Sequence, residues 1–445
     1  MQCSTTTQLH QAEAEGVSLA DMDTWDGLVS TFPVSVSLEV SAHIAGALLR
    51  RRAVKCAVDL LRMVLAYACC DYSLRLLGIW CVARGLGNLS ATALRKRLKH
   101  CNRWLGMLIV ALLQAQQLQL PQRGGLRVRI QDATRVVGPG KPGPEWRVHL
   151  SLDVAQACVD GLELTDVHGG ETLVRFAVRP GEIRLADRGY AHPRGLGEVL
   201  AGGGQLVVRI NWQNLPLQEE DGRRFDISTW LREIQQISAG AQERTVWLPT
   251  PQDRFSVRLV ACPLPPEKAQ EARRRARQAA EKKKHNVDER TLLAAGFVLL
   301  VTNLPLSSWS TQQVLALYRI RWQVETLFKR LKSLLALDGL RAQDPKLAQT
   351  YLLGKLLGAL LLQKAMGQVY TCVPADWDLQ ARPLSHWRMT AICWDVLRAL
   401  IRGCLTLTML MQVLPRLHRF LSDGPRKRPS QLADAQALLH ALSGC

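Results

Sequence analysis

The sequence predicts an α/β protein of several domains: a mixed sheet domain, interrupted by an insertion, with helical regions before and after it in the chain. Three observations predict this. From about residue 40 to residue 120, apolar residues recur at intervals of three and four without strand-like alternation. After PQRGG at Pro121 the pattern changes to short runs rich in Val, Ile and Leu, and helical stretches interleave with them. From about Thr311 the helical period returns and continues to about Phe420. A chain of 445 residues is long enough for roughly two to four ordinary domains, so burying a core poses no difficulty.

The N-terminal region, residues 1–122, contains the helical segments RRAVKCAVDLLRMVLAYA, SLRLLGIWCVARGL and SATALRKRLKHCNRWLGMLIVALLQ. Ser90 is placed to N-cap a helix carrying Arg95, Lys96, Arg97 and Lys99. With the GLGNLS turn before it, this region reads either as a helix-turn-helix on DNA or as an αα-hairpin with a solvated basic face. Residues 123–370 hold the strands LRVRIQDATRVV, WRVHLSLDV, ACVDGLELTDV, IRLADRG and QLVVRIN, with helices expected around 171–178 and 193–200. Three strands, then helix, strand, helix and strand, make a mixed sheet. Residues 212–296 break this pattern with short β-like pieces (RRFDIS, RTVWLP, RFSVRLVAC) and the basic helix EKAQEARRRARQAAEKKKH, and read as a mostly β insertion. FVLLVTN from Phe297 resumes a buried strand, and a long helix follows from about Thr311. Residues 371–445 form a helical C-terminal region in which SDGPRKRPS is a basic linker before a last short helix.

A hydrophobic share of 47% and a charged share of 21% exclude a disordered or fibrous chain. Charge is the unusual feature. Lys and Arg number 57 against 38 Asp and Glu, a net charge of +19 with a pI near 9.8. This favours a polyanionic partner, nucleic acid first and an anionic membrane surface second. The apolar runs from Cys56, Leu105 and Leu352 are short or interrupted by Asp59, Arg62 or Lys355, and fall below the roughly 18 to 20 residues of a spanning helix. The N-terminal MQCSTTTQLHQAEAEG has no basic stretch followed by an apolar one, so the expectation is an intracellular protein that does not enter a membrane. The 12 cysteines show no C-x2-C pair and no H-x3-H spacing, and read as reduced core residues.

Chemistry concentrates in LYRIRWQVETLFKRLK. On a wheel of about 100° per residue, Tyr318, Arg321, Glu325, Lys329 and Lys332 fall on one stripe, opposite the apolar Ile320, Val324, Leu327 and Leu331. Such a stripe is either a solvated face with ordinary ion pairs or part of a site. Asp132 in RIQDATR and Asp187 in IRLADRGY stand on or just after strands, where a lone Asp commonly caps a turn. Together with Glu325 from a helix packed across them, they suggest a triad of carboxylates. Such a triad suits two divalent ions about 3.5–4 Å apart, performing in-line phosphodiester chemistry on DNA. Hard oxygen donors fit Mg²⁺, with Mn²⁺ as a substitute, while the cations of the stripe would hold phosphates.

At these residues the chain resembles the DDE transposases of bacterial insertion sequences, specifically the insertion-sequence-four family. The spaced pattern Y-x2-R-x3-E-x6-K is met at Tyr318, Arg321, Glu325 and Lys332, and the QDAT, EWRVHLSLD and ADRGY segments precede it in order. The resemblance implies an RNase H-like catalytic core carrying a largely β insertion, with Asp132, Asp187 and Glu325 as catalytic metal ligands. It further implies that Tyr318, Arg321, Lys329 and Lys332, and also Arg188, contact DNA phosphates. The implied activity is DNA transposition: Mg²⁺-dependent hydrolysis at the insertion-sequence ends, then strand transfer into target DNA. Implied partners are double-stranded DNA, as terminal repeats and target, and a second copy of the chain on DNA. The implied setting is the bacterial cytoplasm at the nucleoid. The pattern departs at one point. Some members carry a Trp on the strand before the helix with the Glu, whereas GFVLLVTNLP offers Phe297 and Val298. A hairpin route is therefore not implied here, and hydrolysis followed by strand transfer needs no such residue.

Other segments carry less. VVGPGKPGP from Val136 lacks the spacing of a phosphate-binding loop and reads as a hairpin loop. RRRARQAAEKKK from Arg273 reads as a solvated helix face or as a DNA backbone contact. GPRKRP at Gly424 reads as a linker, and His149 as a strand residue without chemistry. Three rival readings remain at this level: an RNase H-like metal-dependent nuclease, a catalytically inactive DNA-binding derivative of a transposase, and a basic protein of membrane surfaces.

Overall fold

Hydroxyl caps start the first helices. The computed structural model describes residues 24–119, 127–141, 143–237, 240–282, 284–371 and 385–404. The segment MQCSTTTQLHQAEAEG, the PQRGG turn, the SDGPRKRPS linker and the expected last helix lie outside the described residues. Thr24, Ser37, Ser73 and Ser90 accept from the amides of Gly27, Val40, Leu76 and Ala93, opening α1 (Trp25–Ser30), α2 (Leu38–Ile44), α4 (Leu74–Ala83) and α5 (Ala91–Lys99). Between them, α3 (Ala57–Cys69) starts after the RRAVKC stretch expected to be helical. The expected helix from Ser90 onward divides into α5 and α6 (Asn102–Gln119). At the join, the amides of His100 and Cys101 bond three residues back, to Arg97 and Leu98, and tighten the turn.

The strands follow as β1 (Val128–Val137), β2 (Pro144–Asp153), β3 (Cys158–Asp166), β4 (Ile183–Ala186) and β5 (Gln205–Arg209), with α7 (Pro193–Ala201) between the last two. Next come α8 (Ile227–Ile237), β6 (Gln242–Pro249), β7 (Arg254–Pro263), α9 (Pro266–Lys282), α10 (Glu289–Ala294) and β8 (Phe297–Thr302). Four helices close the described chain: α11 (Thr311–Arg319), α12 (Trp322–Ser333), α13 (Pro345–Thr371) and α14 (His386–Arg402). Among the described residues no helix is long and apolar enough to cross a membrane.

Two compact units emerge, one of Met1–Ala111 with Ala342–Cys445 and one of Leu112–Arg341. In the first, α3 and α13 lie against each other. A Cβ on Gly354 would stand 2.7 Å from Ala68 Cβ, and one on Gly358 would stand 2.7 Å from Cys69 Sγ, so glycine permits the approach. Buried Lys355 of α13 is paired with Asp71 at 3.3 Å. The basic face of α5 is largely engaged within this unit: Arg95 and Lys99 pair with Asp344, and Arg97 donates to the carbonyls of Ala47 and Arg50.

The second unit is built on one sheet of order β3-β2-β1-β4-β5-β8-β7-β6. β1 pairs antiparallel with β2, and β2 with β3; β4 and β5 run parallel to β1; β8, β7 and β6 add antiparallel strands. The β pieces of residues 212–296 therefore extend the same sheet through β7 and β8. The fold is a mixed α/β architecture, its central sheet flanked in the chain by helical regions, consistent with an RNase H-like core. Phe297, at the start of β8, is buried. Leu196 and Val199 of α7 pack with Trp230 and Leu231 of α8 and with inward residues of β5 to β8 in one apolar core.

The face of β1 and β4 that carries Arg129 and Arg184 holds a buried ionic network. Arg129 bonds Asp160 of β3 at 2.8 Å and Glu182 at 3.2 Å, and Arg184 bonds Glu182 at 2.6 Å. All four residues are buried. Such groups tolerate burial only when mutually paired, so the network ties β3, β1 and β4 together at one alignment.

Candidate active site

The register of two parallel strands sets the site. Val128 lies opposite Ile183, Arg129 opposite Arg184 and Ile130 opposite Leu185. Carried two residues further, the same alignment makes Asp132 level with Asp187, which immediately follows β4. Side-chain alternation sends Ile130 and Asp132 to one face and Arg129 and Gln131 to the other. Asp187 accepts from Gly189 N at 2.8 Å and caps a short 3-10 turn, Arg188–Tyr190. Asp132 accepts from the Ala133 amide at 2.8 Å.

The third acid arrives on α12, which packs on β1 and buries Val324, Phe328 and Leu331. Glu325 lies in its first turn. Arg321 joins the elements: its Nη1 stands 3.3 Å from Asp132 Oδ2 and its Nη2 donates to Glu325 Oε1. The expectation of one unbroken helix through this segment is corrected. α11 ends at Arg319 and α12 begins at Trp322. The amides of Arg321, Gln323 and Val324 bond three residues back, at 3.1, 2.9 and 3.2 Å. Such bonding turns the chain faster than 100° per residue, so a single wheel does not hold across the join.

Tyr318 and Arg321 remain neighbours across it, with the guanidinium carbon 5.9 Å from the ring centre. Lys329 is exposed and places Nζ 5.2 Å from the centre of the exposed Trp322 ring. Lys332 is half-buried. Arg188 is exposed, and its backbone carbonyl accepts from Asn214 Nδ2 at 3.3 Å. Among the described residues no ion pair joins Lys329, Lys332 or Arg188 to the three acids. The segment thus gathers Asp132, Asp187, Glu325, Arg321 and Tyr318, with the remaining cations at its edge.

Electrostatics reveal a residue that the sequence reading missed. Burial pushes the Asp132 carboxyl up to about 7, and the nearby carboxylates of Asp187 and Glu171 push the same way, against the Ala133 amide and Arg321. Burial raises the Tyr190 hydroxyl, and Asp132, Glu171 and Asp187 raise it further. Burial also raises Tyr318, which faces Arg321 and Arg209 as well as Asp187. Glu171 escaped notice because residues 171–178 read as a helix. The structure replaces that helix with a three-residue 3-10 turn, Leu173–Arg175, capped by Thr172. The buried Arg184 takes the carbonyls of Leu173 at 2.6 Å and Ala177 at 2.5 Å, withdrawing acceptors a helix would use. Two glycines before an acid, straight after a strand, were the available signal.

The donor chemistry fits a hard divalent cation: carboxylate oxygens on level strands, with more negative charge than Arg321 alone balances. Among the described residues no group of three or more His, Cys, Asp or Glu side chains lies together in an arrangement that could hold a metal. Glu325 and one oxygen of Asp132 are instead taken by Arg321.

The sheet order is consistent with an RNase H-like core. The transposase DDE domain matches residues 124–362, more than half of the chain. The chain belongs to the DDE-domain transposase family. Similar proteins include InsL of insertion sequence element IS186A in Escherichia coli (strain K12), 38% identical over 346 residues that cover 76% of this chain and 93% of that one. The transposase for insertion sequence element IS421 of Escherichia coli is 38% identical over 347 residues, with the same shares covered. The transposase for insertion sequence element IS231F of Bacillus thuringiensis subsp. israelensis is 28% identical over 170 residues, 37% of this chain and 35% of its own.

Proposed function

We propose that the protein is a DNA transposase that hydrolyses phosphodiesters at the ends of an insertion sequence and transfers the freed 3′ ends to target DNA. The observation that supports it best is the level pair Asp132 and Asp187, met by Glu325 through Arg321. The Y-x2-R-x3-E-x6-K spacing favours the insertion-sequence-four group within the family. Asp132, Asp187 and Glu325 would hold two Mg²⁺ ions, or Mn²⁺, which when bound supply activation of the attacking oxygen and stabilisation of the leaving one.

The chain's own residues do the rest. Arg321 is charged, fixed by two carboxylates and stacked near Tyr318, so it is preorganised to take a phosphate oxygen as the acids engage their cations. Tyr318, Lys329 and Lys332 extend this polar strip along α11 and α12, and Arg188 extends it beyond Asp187. Contact with backbone phosphates is the role proposed for these cations. Joining two ends calls for two copies of the chain on DNA.

The test uses purified protein and DNA carrying the element's own flanks. Wild type with Mg²⁺ is expected to give cut ends and joined products. Folded Asp132→Asn, Asp187→Asn and Glu325→Gln should each lose cutting while holding the DNA. A folded variant that still cuts would overturn the assignment of its residue, and cutting without joining would favour the nuclease reading.

A further inference from the structure

Between α2 and α3 the chain passes through residues 49–56, LRRRAVKC, without forming a helix. Arg50, Arg51, Arg52 and Lys55 of this stretch are all exposed. The backbone beneath them is fixed. Arg97 of α5 donates to the carbonyls of Ala47 at 3.2 Å and Arg50 at 3.4 Å. Gly87, in the turn between α4 and α5, lies against the next part of the loop: a Cβ there would stand 2.6 Å from Ala53 O, and its φ of +144° suits glycine. Val54 is fully buried. Glu39 accepts from the Ala57 amide at 2.6 Å and pairs with Arg51 at 2.8 Å, which holds the loop where it enters α3.

Neutralisation in this unit is selective. Arg51 has Glu39, and Arg95 and Lys99 share Asp344. Among the described residues no ion pair engages Arg50, Arg52 or Lys55, nor the exposed Lys96 next to Arg97. Cations on a loose loop can spread apart, whereas these stand on a backbone pinned at its start, middle and end, so like charges stay close in the folded chain. A polyanion relieves that repulsion. A pinned backbone also loses less freedom on binding than a loose one.

We infer that Arg50, Arg52 and Lys55, with Lys96 next to the Arg97 strut, form a surface of the helical unit that grips the phosphate backbone of DNA without reading bases. This rests on reading the chain as a DNA-binding transposase. The surface lies on the loop that Arg97 holds rather than on the paired cations of α5. Leu49 beside it is exposed, but a single leucine in a non-helical loop offers little apolar area to an anionic membrane.

The measurement is fluorescence anisotropy of the full chain on two labelled duplexes, one carrying the element's own flanks and one of unrelated sequence, over a range of salt and without divalent metal. Arg50→Gln, Arg52→Gln and Lys55→Gln combined should weaken binding to both duplexes alike and lower the slope of log affinity against log salt by roughly 0.9 per lost contact. Arg95→Gln with Lys99→Gln, whose cations Asp344 already holds, should leave the slope where it is. Thermal unfolding beside the titrations shows that each variant is folded, and Arg52→Gln alone, with a fall of roughly 0.9, carries the test if the triple variant is not. A folded loop variant that keeps the wild-type slope would overturn the inference and leave the transposase reading standing. So would a loop variant that loses binding to phosphatidylserine vesicles while holding DNA as wild type does. Wild type that binds neither duplex would instead remove the reading of the chain as DNA-binding, and the inference with it.

Discussion

Arg321 stands between Asp132 and Glu325, 3.3 Å from the first and hydrogen-bonded to the second, and so occupies with a guanidinium the space between two acids that would share a cation. Its charge opposes any divalent ion there, yet the same charge is what a phosphate needs. Arg321→Gln is therefore expected to bind Mn²⁺ severalfold more tightly than wild type while cutting DNA at least about a hundredfold more slowly. Calorimetric Mn²⁺ titration beside a cleavage assay checks both halves. Weaker Mn²⁺ binding in the folded variant would show that Arg321 builds the acid cluster rather than competing within it.

His149 gives the fold a pH dependence. It is fully buried on β2, its Nε2 3.0 Å from Thr165 Oγ1. Burial, then the charges of Arg175 and Arg147, push its pKa down to about 3. The unfolded chain takes up this proton near 6.5 and the folded chain does not, so stability falls as pH drops from about 6.5 toward 3. Each pH unit in that window costs at most about 1.4 kcal/mol. Urea unfolding at pH 7.5 and 5.0 should show a smaller loss in His149→Gln than in wild type; equal losses would refute the assignment.

In the helical unit, Lys355 is buried against Asp71 and lies 5.0 Å from the Tyr351 ring centre, while Tyr351 Oη donates to Asp71 at 2.6 Å. Asp71→Asn removes the carboxylate paired with this buried ammonium and should destabilise by about 3–5 kcal/mol. Lys355→Met, close in volume, should cost much less. Thermal melts of the two variants decide it, and the reverse ranking would sink the idea.

Along α9, Ala269 is the one buried side chain, and Arg274, Arg275 and Arg277 are exposed. Replacing these three by Gln should shift stability by no more than about 0.5 kcal/mol per site. If this face tracks a DNA backbone, the slope of log affinity against log salt should fall by roughly 0.9 per lost phosphate contact. An unchanged slope would return the helix to the reading of a solvated face.

Much of the site was legible because its residues obey local rules. Asp132 and Asp187 sit on strand patterns separated by an offset that the parallel register reproduces. Glu325 follows the 3.6 period of a helix whose apolar face is plain. What the sequence hid depends on distant partners. Arg184 takes two carbonyls from residues 171–178, so a segment with helical periodicity becomes a turn, and Glu171 moves to the site. The break at Ile320 and Arg321 lies within a good helical pattern and is seen in the amide bonds alone. The strands of residues 212–296 look like a separate insertion because pairing partners are not written in the sequence, and β7 pairs with β8 nonetheless. The cations Arg129 and Arg184 sit at strand positions that simple patterning reserves for apolar residues.

Those two buried arginines lie on the side of the sheet away from Asp132, yet they govern it. In a strand, sliding by one residue exchanges the two faces, and no half-slip exists. The salt network behind β1 and β4 therefore behaves as a detent: the acids are either in step or turned away from one another. Damage to Arg129 or Glu182 would then produce a mixed population of fully competent and fully silent molecules, distinguishable by active-site titration from a uniformly slowed enzyme.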